Sequence, residues 1–96
     1  MDYIFEVADK TKRKIRLTEK QWSHILSHGD VGVGDLENIK TALSNPSSLL
    51  VQDLDKNKGN YYLYQKERRR YFLVVVKYLN GEGFVVTAFY VKSIRR

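Results

Sequence analysis

Apolar positions along the chain follow two periods, and the change between them falls near Ser48. Tyr3, Phe5 and Val7 alternate with polar or smaller residues, which predicts a strand over residues 2–8. Asp9–Lys12 reads as a turn and Lys14–Leu17 as a second short strand, because Ile15 and Leu17 stand two apart. Together they predict an N-terminal hairpin. Thr18 and Gln21 have the spacing of a capping box, with the Thr18 hydroxyl accepting the Gln21 amide. Trp22, Ile25 and Leu26 then fall on one side of a helix over about residues 19–28, with Gly29 as a left-handed stop. Three glycines in residues 29–34 predict a flexible loop, and Asp35 a cap for a second helix to residue 44. Leu36, Ile39 and Leu43 line one face of that helix, and Asn45–Pro46 ends it because proline cannot continue the hydrogen-bond ladder.

From Ser48 the texture is that of strands. Leu49-Leu50-Val51 begins a third strand, and further strands are expected over 61–64, over 71–79 and over 84–91, separated by turns at 55–60, 66–70 and 80–83. The last turn, Asn80-Gly81-Glu82-Gly83, offers two glycines free to take positive φ. The two longest strands are apolar on both faces, so they belong at the centre of the sheet with helices covering one side. Two helices ahead of an antiparallel meander define an α+β fold rather than α/β.

A chain of 96 residues holds one modest core, here a single domain over residues 1–96. The absence of cysteine excludes a disulfide scaffold, thiolate zinc sites and a cysteine nucleophile. The longest apolar runs, near 72–76 and 84–91, fall far short of the ~20 residues of a membrane span. Residues Met1–Ile4 lack the basic and apolar regions of a signal peptide, so the expectation is a small soluble, cytoplasmic protein without a membrane partner. Charge adds more. Residues 1–55 hold seven basic and nine acidic residues, whereas residues 56–96 hold ten basic and two acidic ones. A net +8 in the second part suits a polyanion such as nucleic acid, an anionic surface or an acidic partner protein.

The only histidines, His24 and His28, stand four apart, off the apolar stripe of the first helix. That spacing can ligate zinc, but no glutamate follows the first histidine and no cysteine or obvious carboxylate completes a ligand set, so neither metal nor cofactor is expected. The two histidines are either solvated polar residues on the helix surface or acid/base groups, since imidazole titrates near neutral pH. Tyr61, Tyr62, Tyr64 and Tyr71 interleave with Lys66, Arg68, Arg69 and Arg70. Aromatic faces beside guanidinium groups suit base stacking and phosphate contact, although tyrosines also suit half-buried strands. Lys10, Lys12, Arg13, Lys14 and Arg16 read as guards of an edge strand. Alternation places Thr87 with Val85 and Phe89, and Tyr90 on the opposite face unless a bulge intervenes. No Ser-His-Asp order, phosphate-binding glycine loop or carboxylate pair is present.

Several segments in order carry a family likeness: Trp22-Ser23-His24-Ile25-Leu26-Ser27-His28, the helix closing on Asn45-Pro46, Tyr61-Tyr62-Leu63-Tyr64, Phe72–Lys77 and Val86-Thr87-Ala88-Phe89-Tyr90. Over residues 1–93 the chain resembles the phage-associated branch of the barnase, EndoU, colicin and RelE-like nuclease superfamily. The resemblance implies a barnase/RelE-like α+β domain and metal-independent RNA cleavage by 2′-hydroxyl attack, leaving a 2′,3′-cyclic phosphate. It implies catalytic roles for His28, with His24 second, for Thr87 as the last-strand hydroxyl and for an arginine or lysine among Arg68, Arg69, Arg70 and Lys77, with Arg69 taken first. Arg68, Arg70, Tyr64, Lys77 and Tyr90 are the expected substrate contacts. A toxin or mobile-element nuclease of this kind would bind RNA and an acidic antitoxin or immunity protein. The alternative is a non-catalytic module of the same fold that binds RNA or protein.

Overall fold

The computed structural model describes residues 3–51 and 57–94. Strands β1 (Tyr3–Ala8) and β2 (Lys14–Thr18) form the expected hairpin. Helices α1 (Glu19–Leu26) and α2 (Leu36–Ser44) follow, joined by a loop that ends in a 3₁₀ turn at Val33–Asp35. Strands β3 (Ser48–Val51), β4 (Lys58–Gln65), β5 (Arg70–Leu79) and β6 (Glu82–Val91) complete one six-stranded sheet of order β1-β2-β6-β5-β4-β3. The fold is α+β, with two helices packed on this sheet. Asp2, at the start of the expected first strand, and Asp55–Lys56, at the start of the expected turn over 55–60, lie outside the described residues.

The meander β3–β6 is antiparallel throughout, but the N-terminal hairpin joins it through a parallel pairing of β2 with β6. That pairing extends only over Ile15–Gly83 and Arg16–Phe84. Beyond it the chain leaves the sheet as α1, so the second half of β6 faces α1 and its following loop instead of another strand. Because β2 is internal, the basic hairpin residues do not form a single edge guard. Arg16 binds Glu6 at 2.9 Å and also Glu82, while Arg13 stacks on the Tyr78 ring at 4.2 Å.

One sheet face carries the core. Ile15 and Leu17 of β2, Tyr61 of β4, Phe72, Val74, Val76 and Tyr78 of β5, and Val85 and Ala88 of β6 pack against Ile25, Ile39, Ala42 and Leu43 of the helices. Alternation along β5 puts Tyr71, Leu73, Val75 and Lys77 on the other face. The register then assembles cross-strand rows there: Lys58 with Lys77, Asn60 with Val75 and Thr87, Tyr62 with Leu73 and Phe89, and Tyr64 with Tyr71 and Val91.

Three local expectations change. The first helix ends at Leu26, not residue 28, because the Ser27 amide bonds both Ser23 and His24 carbonyls and the His28 amide bonds Ile25. The ladder tightens to three-residue spacing in that last turn. Gly29 is not its left-handed stop: among the described glycines, Gly81 alone has positive φ. At the β5–β6 hairpin the two left-handed residues are Asn80 (φ 54°) and Gly81 (φ 79°), as a two-residue turn of this hand requires. Gly83 is needed for space instead, since a Cβ there would come within 2.9 Å of the Lys77 carbonyl oxygen.

Candidate functional site

The loop after α1 is held against the free stretch of β6 rather than loose. Val31 is buried in the core, and the Asp30 carboxylate accepts the Tyr90 backbone amide at 3.1 Å. Asp35 accepts the Gly32 amide at 2.9 Å and so closes the glycine-containing segment on itself. These anchors carry His28 to the rim of β6, where its Nε2 lies 3.1 Å from Thr87 Oγ1. His24 lies edge-on to His28 with ring centroids 5.3 Å apart, and the Phe89 ring lies 6.2 Å from His28, tilted by 53°. His28 is half-buried and His24 exposed.

A β-bulge makes this meeting possible. Val75 pairs with Thr87 while Val76 pairs with Val85, so Val86 is an extra residue in β6. The insertion leaves Val85 on the core face and puts Thr87 and Phe89 on the other. Thr87 therefore does not share a face with Val85, as simple alternation would have it. Tyr90 does lie opposite Thr87, packed against the core cluster.

Of the site residues expected from the sequence, the fold brings together His28, His24 and Thr87. Lys77 lies on Thr87's face, two residues beyond its partner Val75 and so about 7 Å along β5. Tyr64 lies further the other way, opposite Tyr71. Arg68, Arg69 and Arg70 surround the β4–β5 turn, where Arg69 is left-handed at φ 53°. That end of the sheet adjoins Val91, about 13 Å along β6 from Thr87. Arg70 donates to the Arg69 carbonyl, and Arg68 stacks over the Tyr90 ring at 4.3 Å.

Arg68 and Tyr90 thus belong to a second cluster, which locks α2 to β6. The Tyr90 hydroxyl and Asn38 Nδ2 both donate to Asp35 Oδ1. Asp35 is only 6% exposed. Burial alone would raise its pKa, but hydrogen bonds from Tyr90, Gly32 and Asn38, with the nearby Arg68 charge, outweigh it and hold the carboxyl below its usual range. Burial, then the hydrogen bond to Asp35, pushes the Tyr90 phenol up to about 12. A carboxyl lowered by folding stabilises the fold above its unfolded pKa, near 3.9, and loses that contribution as pH falls through the lower folded value. The Asp35→Asn variant is therefore expected to be less stable than the parent at neutral pH, with the gap closing in acid below about pH 4. Urea midpoints of both proteins from pH 2 to 7 check this, and a gap independent of pH would contradict it.

Two participants were not singled out by the sequence. Lys58 falls in a segment read as a turn, and Phe89 within an apolar run. The signal for Phe89 was alternation with Thr87; for Lys58 it was the continuation of the strand through Gly59. Comparison with protein-family models, with curated proteins and with solved structures finds no match to this chain. Among the described residues no group of three or more histidine, cysteine or acidic side chains could hold a metal ion, and no helix is long and apolar enough to cross a membrane.

Proposed function

We propose that the protein is a metal-independent endoribonuclease with a barnase/RelE-like arrangement, whose reacting groups gather around the His28–Thr87 contact. The observation that carries this reading is the approach of His28 Nε2 to Thr87 Oγ1, with a second imidazole 5.3 Å away, on a sheet face that also bears lysines. Transesterification of RNA needs a base for the 2′-hydroxyl, an acid for the departing 5′-oxygen and positive charge at the phosphorane. The two imidazoles supply the first pair. One, neutral, takes the 2′-hydroxyl proton as the O2′–P bond forms. The other, protonated, gives its proton to the 5′-oxygen as the P–O5′ bond breaks. Thr87 donates its hydroxyl to a phosphoryl oxygen when the phosphate displaces His28 from it.

Lys58 and Lys77 are direct register partners across β4 and β5. Like charges placed opposite one another on a sheet weaken it. Among the described residues neither lysine has an ion-pair partner, since the three pairs involve Arg16 and Lys40. An anion between these two lysines relieves the repulsion, and a phosphodiester beside Thr87 lies within their reach. The arginine run is more remote from the histidines, which favours Lys77 over Arg69 for the phosphorane.

The test is incubation of the parent protein with a mixed-sequence RNA in excess EDTA, followed by end-group analysis. Products with 2′,3′-cyclic phosphate and 5′-hydroxyl ends are expected. Cleavage that disappears with EDTA, or no cleavage by folded protein, would refute the proposal.

A further inference from the structure

We infer that Tyr64 and Tyr71 form a base-stacking subsite for single-stranded RNA, separate from the reacting groups and on the same sheet face. The inference rests on the ribonuclease reading for the identity of the ligand, and it adds where the strand is gripped and in what form. Tyr64 and Tyr71 are register partners on β4 and β5, with ring centroids 5.2 Å apart and planes at 61°. Tyr71 is also edge-on to Tyr62, at 6.2 Å and 89°. Tyr62 is fully buried, so the inner end of this aromatic series is fixed. Tyr64 at the outer end is 47% exposed. A tyrosine pair stabilises a sheet by its mutual contact alone, but that contact leaves one ring of this pair half open to solvent.

Position and charge identify the occupant. Tyr71 lies four residues along β5 from Val75, the partner of Thr87, or about 13 Å from the reacting groups. A single strand spans that gap in a few nucleotides. Lys77 and Lys58 lie on the opposite side of Thr87, so the face runs from cations, through His28 and Thr87, to aromatic rings. Just past the rings, the β4–β5 turn carries Lys66, Arg68, Arg69 and Arg70 against one acid, Glu67. Arg68 turns to the Tyr90–Asp35 cluster on the core side; among the described residues, none of Lys66, Arg69 and Arg70 is in an ion pair. A half-exposed ring set between cations without ion-pair partners suits both kinds of contact an unpaired strand offers: base faces for stacking and phosphates for charge. Duplex RNA hides its base faces and cannot use the rings.

The experiment uses an RNA oligonucleotide of about ten residues with 2′-O-methyl ribose at every position, which keeps bases and phosphates but cannot be cut by 2′-hydroxyl attack. Fluorescence anisotropy is read for the parent and for Tyr64→Ala, Tyr64→Trp and Tyr71→Phe, with circular dichroism to show that each is folded. Tyr64→Ala is expected to weaken binding roughly 5- to 100-fold, the loss of one stacked base, while Tyr64→Trp and Tyr71→Phe keep parental affinity. The same strand annealed to its complement should bind the parent and Tyr64→Ala equally. A folded Tyr64→Ala variant with parental single-strand affinity overturns the inference even if the parent cleaves RNA. Conversely, tyrosine-dependent binding by a protein that cuts no RNA leaves the subsite standing and removes the ribonuclease reading.

Discussion

Replacing His28 by asparagine is expected to slow RNA cleavage by about 10²–10⁴-fold, the range for loss of a positioned acid/base group. Asparagine is close in size and can still hydrogen-bond Thr87, so the half-buried site keeps a polar partner for that hydroxyl. What it cannot do is gain and lose a proton near neutral pH, which imidazole does. His24→Asn is expected to have an effect of similar order, because each ring handles one of the two protons. Thr87→Val should cost less, about tenfold, since it removes one hydrogen bond to phosphate but no proton transfer. Single-turnover rates from pH 5 to 9 distinguish the roles. The parent should give a bell-shaped profile, and each histidine variant should lose one limb of it. A His28→Asn protein that cleaves at the parental rate would take His28 out of the mechanism.

The sequence made the elements legible where their residues signal locally, and hid the features that depend on pairing. Thr18 accepts the Gln21 amide at 3.2 Å, as the capping pattern requires, and Asn45–Pro46 follows directly on α2. β5 and β6 are central, as strands apolar on both faces must be. The parallel junction of β2 with β6 was not legible. It involves only two residue pairs, and Ile15 and Leu17 would suit an isolated hairpin equally well. The bulge at Val86 was equally silent, because valine fits a regular strand as well as a bulged one. Yet the bulge decides which face Thr87 occupies, so the central contact of the candidate site rests on a feature no local pattern announces. Gly59 shows the opposite case. Beside Asn57, Lys58 and Asn60 it reads as part of a turn, and it is instead a strand residue. A Cβ on it would lie 2.1 Å from the Tyr78 hydroxyl, so the glycine is there to let a buried tyrosine cross the sheet. The same turn-like run conceals Lys58 as the register partner of Lys77.

That tyrosine leads to the largest expected effect on stability. Asp9, 5% exposed, closes the first hairpin turn. Its Oδ1 accepts the Thr11 amide at 2.9 Å, the Thr11 hydroxyl at 2.8 Å and the Arg13 amide at 2.8 Å. Its Oδ2 accepts the Tyr61 hydroxyl, which in turn meets the Tyr78 hydroxyl at 2.8 Å. One carboxylate thus joins the first hairpin to the middle of the meander, and a main-chain bond from Lys10 to the Leu43 carbonyl at 2.8 Å ties the same turn to α2. Burial, then the hydrogen bond to Asp9, drives the Tyr61 phenol far above its usual value, so it remains a donor throughout the working pH range. Asp9→Ala deprives these donors of their acceptor, and a buried donor left without one costs about 1–3 kcal/mol. With the turn amides also affected, the variant is expected to lose about 3 kcal/mol. Tyr61→Phe should lose less, because it removes one partner and leaves Asp9 its three bonds within the turn. The double variant should lose less than the sum of the two, with a coupling of about 0.5–3 kcal/mol, since after the first substitution the shared bond is already gone. Urea unfolding of the four proteins measures each quantity. Strict additivity would mean that the carboxylate and the phenol act independently, and that the hairpin is held to the meander by apolar packing alone.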